Sequence, residues 1–320
     1  MAVLVTGGAG FIGSHIVDRL LAETTGEVVV LDDFNDYYDP FRKHANLTSA
    51  ACCDRFHLVQ GSFSDDQLLE QVFGNYAITA VLHLGGYPGV TPSLAQPQRY
   101  FDTNVAGTFR LLEASSRAKV QRFMFASSST VYGRGATAPF REDAPLGAPL
   151  SPYGASKQMA ETRVAMYHDV YGLPTIRLRL FNVYGPRMRP DLAMAVFARR
   201  ILSGETLRLF GDGTIRRDFT HVDDVCRGIL AALAAPATVG QAINLGHDQP
   251  VEIREVIRLI ESAAGRKAKI EMHPPRTEDM PLTHADITKA RELLGYQPAI
   301  SLEHGVADYV RWLQSQPNTS

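Results

Sequence analysis

The feature that most limits what this chain can become lies in its first thirteen residues. A short apolar run, Val3–Val5, leads into Thr6-Gly7-Gly8-Ala9-Gly10-Phe11-Ile12-Gly13. Apolar residues then recur at three- and four-residue spacing, which predicts a helix over Phe11–Leu21. Strand, glycine turn and helix in this order make a phosphate cradle. Glycines at 7, 10 and 13 allow a tight turn, close approach of a pyrophosphate, and close packing of helix on strand. The helix N-terminus adds free N–H groups and the positive end of a dipole. A glycine triplet alone says little, but between a strand and a helix it predicts a dinucleotide site. The next strand, Val28–Leu31, runs into Asp32 and Asp33. Asp32 stands where a carboxylate accepts from both ribose hydroxyls of an adenosine, and the acidic pair repels a 2′-phosphate. The expected cofactor is therefore NAD, not NADP. Asp33 also has the plainer reading of a loop cap.

The rest of the first half repeats the pattern. His57–Val59, Ala80–Leu84, Arg122–Ala126 and Ile176–Leu180 read as strands, and Asp65–Phe73, Tyr100–Ala118 and Pro152–Tyr171 as helices. Strands alternating with helices predict an α/β fold, a Rossmann-type doubly wound parallel sheet covered on both faces. Proline, glycine and arginine become denser at Pro186–Arg217 and again at His273–Pro281, which predicts a smaller C-terminal substrate-binding lobe. Thr220–Leu233 and Ile243–Leu245 read as a return to the main sheet, and Arg254–Ala264, Ile287–Leu294 and Leu302–Leu313 as further helices. The expected division is residues 1–180, with about 218–245, as the NAD-binding domain. Residues 181–217 and 246–320 form the lobe.

Composition excludes several classes of protein. With 21% charged residues and a net charge of -2, nothing suggests a nucleic-acid partner. The apolar runs are too short to span a bilayer, and with neither a basic n-region nor a cleavage site near Met1 no secretory signal is expected. Cys52, Cys53 and Cys226, two of them adjacent, suit reduced thiols in a cytoplasmic protein. No Cys/His pairs stand at metal-ligand spacing, so no metal is expected.

The chemistry is expected around Tyr153-Gly-Ala-Ser-Lys157. If Pro152 opens a helix, the phenol and the ammonium share one face, one turn apart. A cation beside a phenol favours the phenolate, which makes a weak acid a usable base near neutral pH. The pair comes after a strand ending in Ala126-Ser127-Ser128-Ser129-Thr130-Val131-Tyr132-Gly133. Hydroxyls at the C-terminal end of a parallel strand lie where open α/β sheets bind ligands, although one or two of these four are expected only to cap the turn.

Together with Arg217-Asp218-Phe219-Thr220-His221-Val222-Asp223-Asp224, these motifs resemble the NAD-dependent sugar-nucleotide epimerase/dehydratase family over nearly the whole chain. The resemblance implies that Ser128 hydrogen-bonds the reacting sugar hydroxyl, Tyr153 is the catalytic base, and Lys157 holds the nicotinamide ribose. It implies cofactor contacts from Gly7, Gly10, Phe11, Ile12, Gly13, Asp32, Asp33, Lys43, Ser62, Phe63, Leu84 and Asn104, besides Tyr153 and Lys157. It implies substrate contacts from Ser128, Ser129, Thr130 and Asn182, with Arg189, Arg217 and Arg276 around a diphosphate and Asp279 accepting from the uridine ribose. Arginine suits the diphosphate because its planar fork gives bidentate bonds. One departure is Ser62, where the family often has an acidic residue at the adenine.

The family oxidises C4 of a nucleotide-linked sugar and then diverges. Dehydratases and decarboxylases of similar sequence carry an acid where this chain has Ser129-Thr130. What remains is 4-epimerisation of a UDP-sugar. Phe34–Pro40 with Lys43, Pro88-Gly89-Val90 with Ser93, and Tyr184–Asp191 are similar to nucleotide-glucuronate 4-epimerases, which implies conversion of UDP-glucuronate to UDP-galacturonate. That group usually has arginine at the place of Thr91 and threonine at the place of Asn182. Asn182 suits a glucose/galactose epimerase, which is the alternative. Gly85-Gly86 replaces a more usual Ala-Ala. A redox sensor on the same fold is a third reading, against which the Tyr/Lys pair stands. A homodimer is expected through the helices Tyr100–Ala118 and Pro152–Tyr171, on apolar residues such as Phe109, Leu112, Met159, Val164 and Met166.

Overall fold

In the computed structural model, residues 2–276 and 280–316 are described. Six strands alternate with helices: β1 (Ala2–Thr6), β2 (Glu27–Asp32), β3 (Phe56–Gln60), β4 (Ile78–His83), β5 (Arg122–Ser128) and β6 (Thr175–Leu180). A seventh strand, Ala242–Leu245, adds to the far edge beside β6, at the place the sequence reads as a return to the sheet. The order is seventh strand–β6–β5–β4–β1–β2–β3, and every pairing is parallel. The fold is the expected doubly wound sheet. The chain runs outward in both directions from the β1/β4 pair, and that reversal opens a crevice at the strand ends.

Alternation along each strand fills two cores. Val28 and Val30 belong to the apolar cluster on one face of the sheet, while Val29 and Leu31 belong to the other. The first cluster runs without a break into Leu207, Leu209, Val256, Ile260 and Val310, so the C-terminal elements share the core of the sheet. Those elements are built on three small two-stranded sheets: Val183–Tyr184 with Thr220–His221, Arg216–Asp218 with Pro250–Glu252, and Thr206–Phe210 with Lys269–His273. Buried Asp218 ties the second sheet to neighbouring loops, accepting from the backbone N–H groups of His247, Asp248 and Ala285 at 2.8–3.1 Å.

Helix Pro152–Tyr171 forms as its ends predict. Ser151 caps it by accepting from Gly154 N–H at 3.1 Å, Pro152 occupies the first turn, and Gly172 ends it at φ +69°. The expected single helix over Tyr100–Ala118 is instead three pieces: a short helix at Pro97–Tyr100, a π-helical turn at Phe101–Gly107, and an α-helix at Thr108–Arg117. Hydrophobic periodicity does not reveal an extra residue per turn. The expected dimer face also needs correction. Leu112 and Val164 are fully buried against the sheet, and Phe109 and Met166 pack partly on it. Met159 is exposed, and so are Val170 and Tyr171 further along the same helix. No helix among the described residues is long and apolar enough to cross a membrane.

Candidate active site

A cleft of about 370 Å³ opens at the C-terminal ends of β1, β4, β5 and β6. Its floor is the glycine turn. Gly7 has φ +68°, and a Cβ there would lie 2.7 Å from the Gly85 Cα, so the β1 and β4 loops touch. At Gly13 a Cβ would come within 2.1 Å of the Gly7 carbonyl oxygen. Only glycine permits either approach. Helix Phe11–Glu23 begins at Gly10 with no side-chain cap, and Gly10, Phe11, Ile12 and Gly13 line the cleft, so its free N–H groups face the space.

Asp32 ends β2 on the cleft wall. It accepts from Ala9 N–H at 3.0 Å and Phe34 N–H at 2.9 Å, which pins the glycine turn to the next loop. Burial raises its pKa, against the pull of those amides and of Lys43. Lys43 lines the cleft too, donating to Asn35 O and Oδ1 at 2.9 and 3.1 Å. Leu84 is also on the wall. Half-buried Tyr38 lines the same end, and its enclosed hydroxyl has no hydrogen-bond partner among the described residues. A glycine cradle, an uncapped helix end, a carboxylate at the end of β2 and an orphaned hydroxyl together fit an adenine dinucleotide.

Four residues expected at the cofactor lie off the cleft wall. Asp33 is exposed and accepts from Asn35 N–H at 3.1 Å, the plain loop-cap role. Ser62 accepts from Ser64 N–H at 3.1 Å. Phe63 packs edge-on to His83, beneath Gly85. Asn104 is buried in the π turn. Its side chain accepts from Tyr87 N–H at 2.8 Å and donates to Tyr87 O at 2.9 Å and Ser156 Oγ at 3.0 Å. It clamps a loop of the cleft to the helix that carries Tyr153.

The chemical centre joins the end of β5 to that helix. Ser128, Ser129 and Thr130 form a shelf of hydroxyls on the wall, facing Tyr153 and Lys157. Ser128 Oγ accepts from Thr130 N–H at 3.2 Å and Thr130 Oγ1 at 3.0 Å, and it favours the ionised form of the Tyr153 hydroxyl. Ser127 turns behind the shelf and donates to Glu161 at 2.6 Å, and Glu161 is paired with buried Arg179. Lys157 Nζ donates to Ala126 O at 2.8 Å, and burial lowers its pKa to about 8. Burial raises the pKa of Tyr153. Ser128 and the charge of Arg189 pull it back. Arg189, from far along the chain, thus contributes charge toward the phenol, and Lys157 is held by a backbone carbonyl.

The substrate residues are assembled from afar. Asn182 lines the cleft just after β6, and the Thr283 hydroxyl donates to its side-chain oxygen at 3.3 Å. Arg189 lines the cleft in a bidentate pair with Asp191, at 3.0 and 3.1 Å, and Tyr37 donates to the same carboxylate at 3.0 Å. Tyr37 comes from the loop after β2, so this contact bridges the cleft. Arg217 and Arg276 are off the wall. Arg217 donates to Met280 O at 2.6 Å, and Arg276 stacks 3.7 Å from the Phe210 ring and reaches Thr91. Asp279 lies outside the described residues. Tyr37, Tyr38 and Tyr87 complete the wall without having been singled out as site residues.

Fold and site define a dinucleotide-binding protein of the Tyr/Lys short-chain dehydrogenase type. Residues 3–246 match the NAD dependent epimerase/dehydratase family, and the chain belongs to that family. It is 40% identical to a UDP-glucuronate 4-epimerase of Thermodesulfobacterium geofontis over 311 residues, covering 97% of this chain and 95% of the relative. The UDP-glucuronic acid 4-epimerase of Bacillus cereus, solved with UDP-glucuronic acid and NAD, superposes with a TM-score of 0.93 at 36% identity, covering 98% of this chain and 99% of that one. The UDP-glucose 4-epimerase of Thermotoga maritima, solved with UDP-glucose, gives 0.90 at 33% identity with the same coverage.

Proposed function

We propose that this chain is an NAD-dependent 4-epimerase that converts UDP-glucuronate to UDP-galacturonate. One observation carries the reading. Asp32, at the cofactor end, is the sole carboxylate among the described residues that line the cleft, and a hydroxyl shelf faces Tyr153 where an eliminating enzyme needs an acid. Bound NAD supplies a hydride acceptor that returns its hydride later in the same turnover. Tyr153 takes the proton of the C4 hydroxyl and gives it back, with Ser128 beside it on the cleft wall. Lys157 orients the ribose side of the site from its perch on Ala126 O. Oxidised glucuronate is a β-keto acid that loses its carboxylate when the breaking bond aligns with the carbonyl. Hydroxyls at Ser128, Ser129 and Thr130, with the Asn182 amide, are placed to hold the carboxylate out of that alignment. The curated relative and the Bacillus cereus structure support the choice of sugar.

Asn182 favours a second reading, in which UDP-glucose and UDP-galactose are the substrates, as in the Thermotoga maritima structure. Following UDP-glucuronate and UDP-glucose side by side by NMR separates the two. Preferred formation of UDP-galactose overturns the glucuronate reading, and a dominant 4-keto-pentose overturns the role given to the hydroxyl shelf. The site residues are assigned on the same footing, with Asp32 and the glycine turn for the cofactor and Asn182 and Arg189 for the substrate. The NAD-binding unit is residues 1–180 with about 218–245, and the remainder is the substrate lobe. The protein acts as a cytoplasmic homodimer in this reading. Exposed Met159, Val170 and Tyr171 on helix Pro152–Tyr171 support the interface, and three free cysteines suit a reducing compartment. A monomeric mass by light scattering at micromolar concentration refutes the dimer.

A further inference from the structure

Buried His83, the last residue of β4, plays no part in the mechanism above, yet every polar atom around it is matched. Thr6 Oγ1 lies 2.7 Å from its Nδ1, and Thr108 Oγ1 lies 2.9 Å from its Nε2. The chain of bonds continues on both sides. Gly85 N–H donates to Thr6 Oγ1 at 3.2 Å, and Thr108 Oγ1 donates to Asn104 O at 2.6 Å. Its two ends are backbone groups of opposite kind, since an amide N–H only donates and a carbonyl only accepts. That fixes every proton between them. Thr108 uses its one proton on Asn104 O, so it accepts from His83, and Nε2 carries the hydrogen. Nδ1 is then bare and accepts from the Thr6 hydroxyl, whose free lone pair accepts from Gly85. All bonds point from Gly85 to Asn104, and only a neutral imidazole of one tautomer completes them. An imidazolium would turn Nδ1 into a donor facing the Thr6 proton. Burial and the nearby Lys157 charge both disfavour that form.

The chain lies at the reversal of strand order. Thr6 faces His83 in the β1/β4 register, and these are the strands between which the sheet turns back. Above them the Gly7 and Gly85 backbones are in contact, and both line the cleft where a dinucleotide crosses from one half of the sheet to the other. Beyond Asn104 O, the Asn104 side chain grips Tyr87 and Ser156. We propose that His83 is a positioning residue, locked as the neutral Nε2–H tautomer, that fixes the seam between the Gly7 and Gly85 loops and thereby slows the escape of NAD. Both ends being backbone groups, the chain moves no proton. Its role is to hold the cradle shut while the cofactor waits in its reduced form. The inference rests on the NAD reading alone and not on the choice of sugar.

Two measurements on the intact protein test it. Nitrogen-15 NMR of histidine-labelled protein is expected to show one imidazole with bare Nδ1 and protonated Nε2, unchanged from pH 8 to pH 5. An Nδ1–H tautomer, or titration within that range, overturns the proposal without any variant. Next, the exchange of bound NAD for labelled NAD is followed without sugar in Thr108→Val and Thr108→Ser. One broken buried hydrogen bond is expected to speed exchange roughly tenfold in Thr108→Val, with exchange in Thr108→Ser close to that of the unaltered protein. The kcat of Thr108→Val at saturating NAD is expected to change less than its exchange rate. Unaltered exchange in a folded Thr108→Val, or equal loss in kcat and retention, overturns it. Because exchange is read without sugar, the result stands whichever UDP-sugar is turned over.

Discussion

The two halves of the cleft are built by opposite means. The cofactor half is local. Gly7 to Gly13 and Asp32 are backbone turns and strand ends, and Asp32 hydrogen-bonds the very turn it stands beside. The substrate half is assembled across the chain, with Asn182 steadied by Thr283 and Arg189 paired to Asp191 beneath Tyr37. The first half is shaped before any ligand arrives, because its groups are held by neighbours that a ligand does not displace. The second keeps its main cation in a pair that an incoming anion competes with. Rigidity thus goes to the molecule that stays through the cycle, and exchangeable contacts go to the one that comes and leaves.

Tyr153, where the halves meet, gives the largest expected effect. Tyr153→Phe is expected to lower turnover on the order of a thousandfold, within the usual range for loss of an acid–base group. NAD released on denaturation is expected to match that of the unaltered protein, and a loss of under tenfold in turnover points to another base. Asp32→Ala comes next. It removes a charged acceptor from the ribose and from two backbone amides, so NAD affinity is expected to fall roughly a hundredfold. Titration calorimetry reads this, and an unchanged sugar KM at saturating NAD shows that the halves are separable.

One contribution to the pH dependence of stability comes from the cofactor half. Burial holds His83 down to about 3, against 6.5 for an ordinary histidine. Between those values the unfolded chain takes up a proton that the folded chain refuses. The contribution is therefore complete above pH 6.5 and is lost as pH falls toward 3. Urea unfolding at pH 7 and pH 5 is expected to show a loss of about 2 kcal/mol from this group, absent in His83→Asn. Equal losses in both proteins contradict it. The smallest effect lies in the substrate half. Asp191→Asn leaves Arg189 without its counter-charge and is expected to lower the KM for the UDP-sugar about threefold, the scale of a partly exposed ion pair. A rise in KM instead means that Asp191 serves to aim Arg189.

What could be read from the sequence runs along the same division. The glycine turn, Asp32, the Ser128–Thr130 shelf and the Tyr153/Lys157 pair are short-range patterns on regular elements, and all reach the cleft. The parallel sheet was readable because apolar runs alternate with helical spacing. The rest depends on contacts between residues far apart in the chain. No spacing rule joins Tyr37 to Asp191 or Thr283 to Asn182, and none shows that Lys157 rests on Ala126 O. The π turn at Phe101–Gly107 escapes notice because its residues sit in an ordinary amphipathic helix pattern. Asp33, Ser62, Phe63 and Asn104 lie off the cleft wall, engaged with neighbours that spacing along the chain does not reveal.

The bridge of Arg189, Asp191 and Tyr37 also bears on how the empty protein looks to ions in solution. A bare guanidinium at the mouth of a cleft would draw in polyphosphates of every kind. Here Asp191 cancels that field at close range, and the net charge of the chain is -2. An anionic nucleotide sugar is therefore not pulled in from a distance. It arrives by diffusion and trades places with a carboxylate on contact. The association rate is expected to depend little on ionic strength, unlike that of enzymes that steer their substrates by long-range fields. Discrimination among the many phosphate esters around it rests on which of them completes the exchange, not on which of them is attracted.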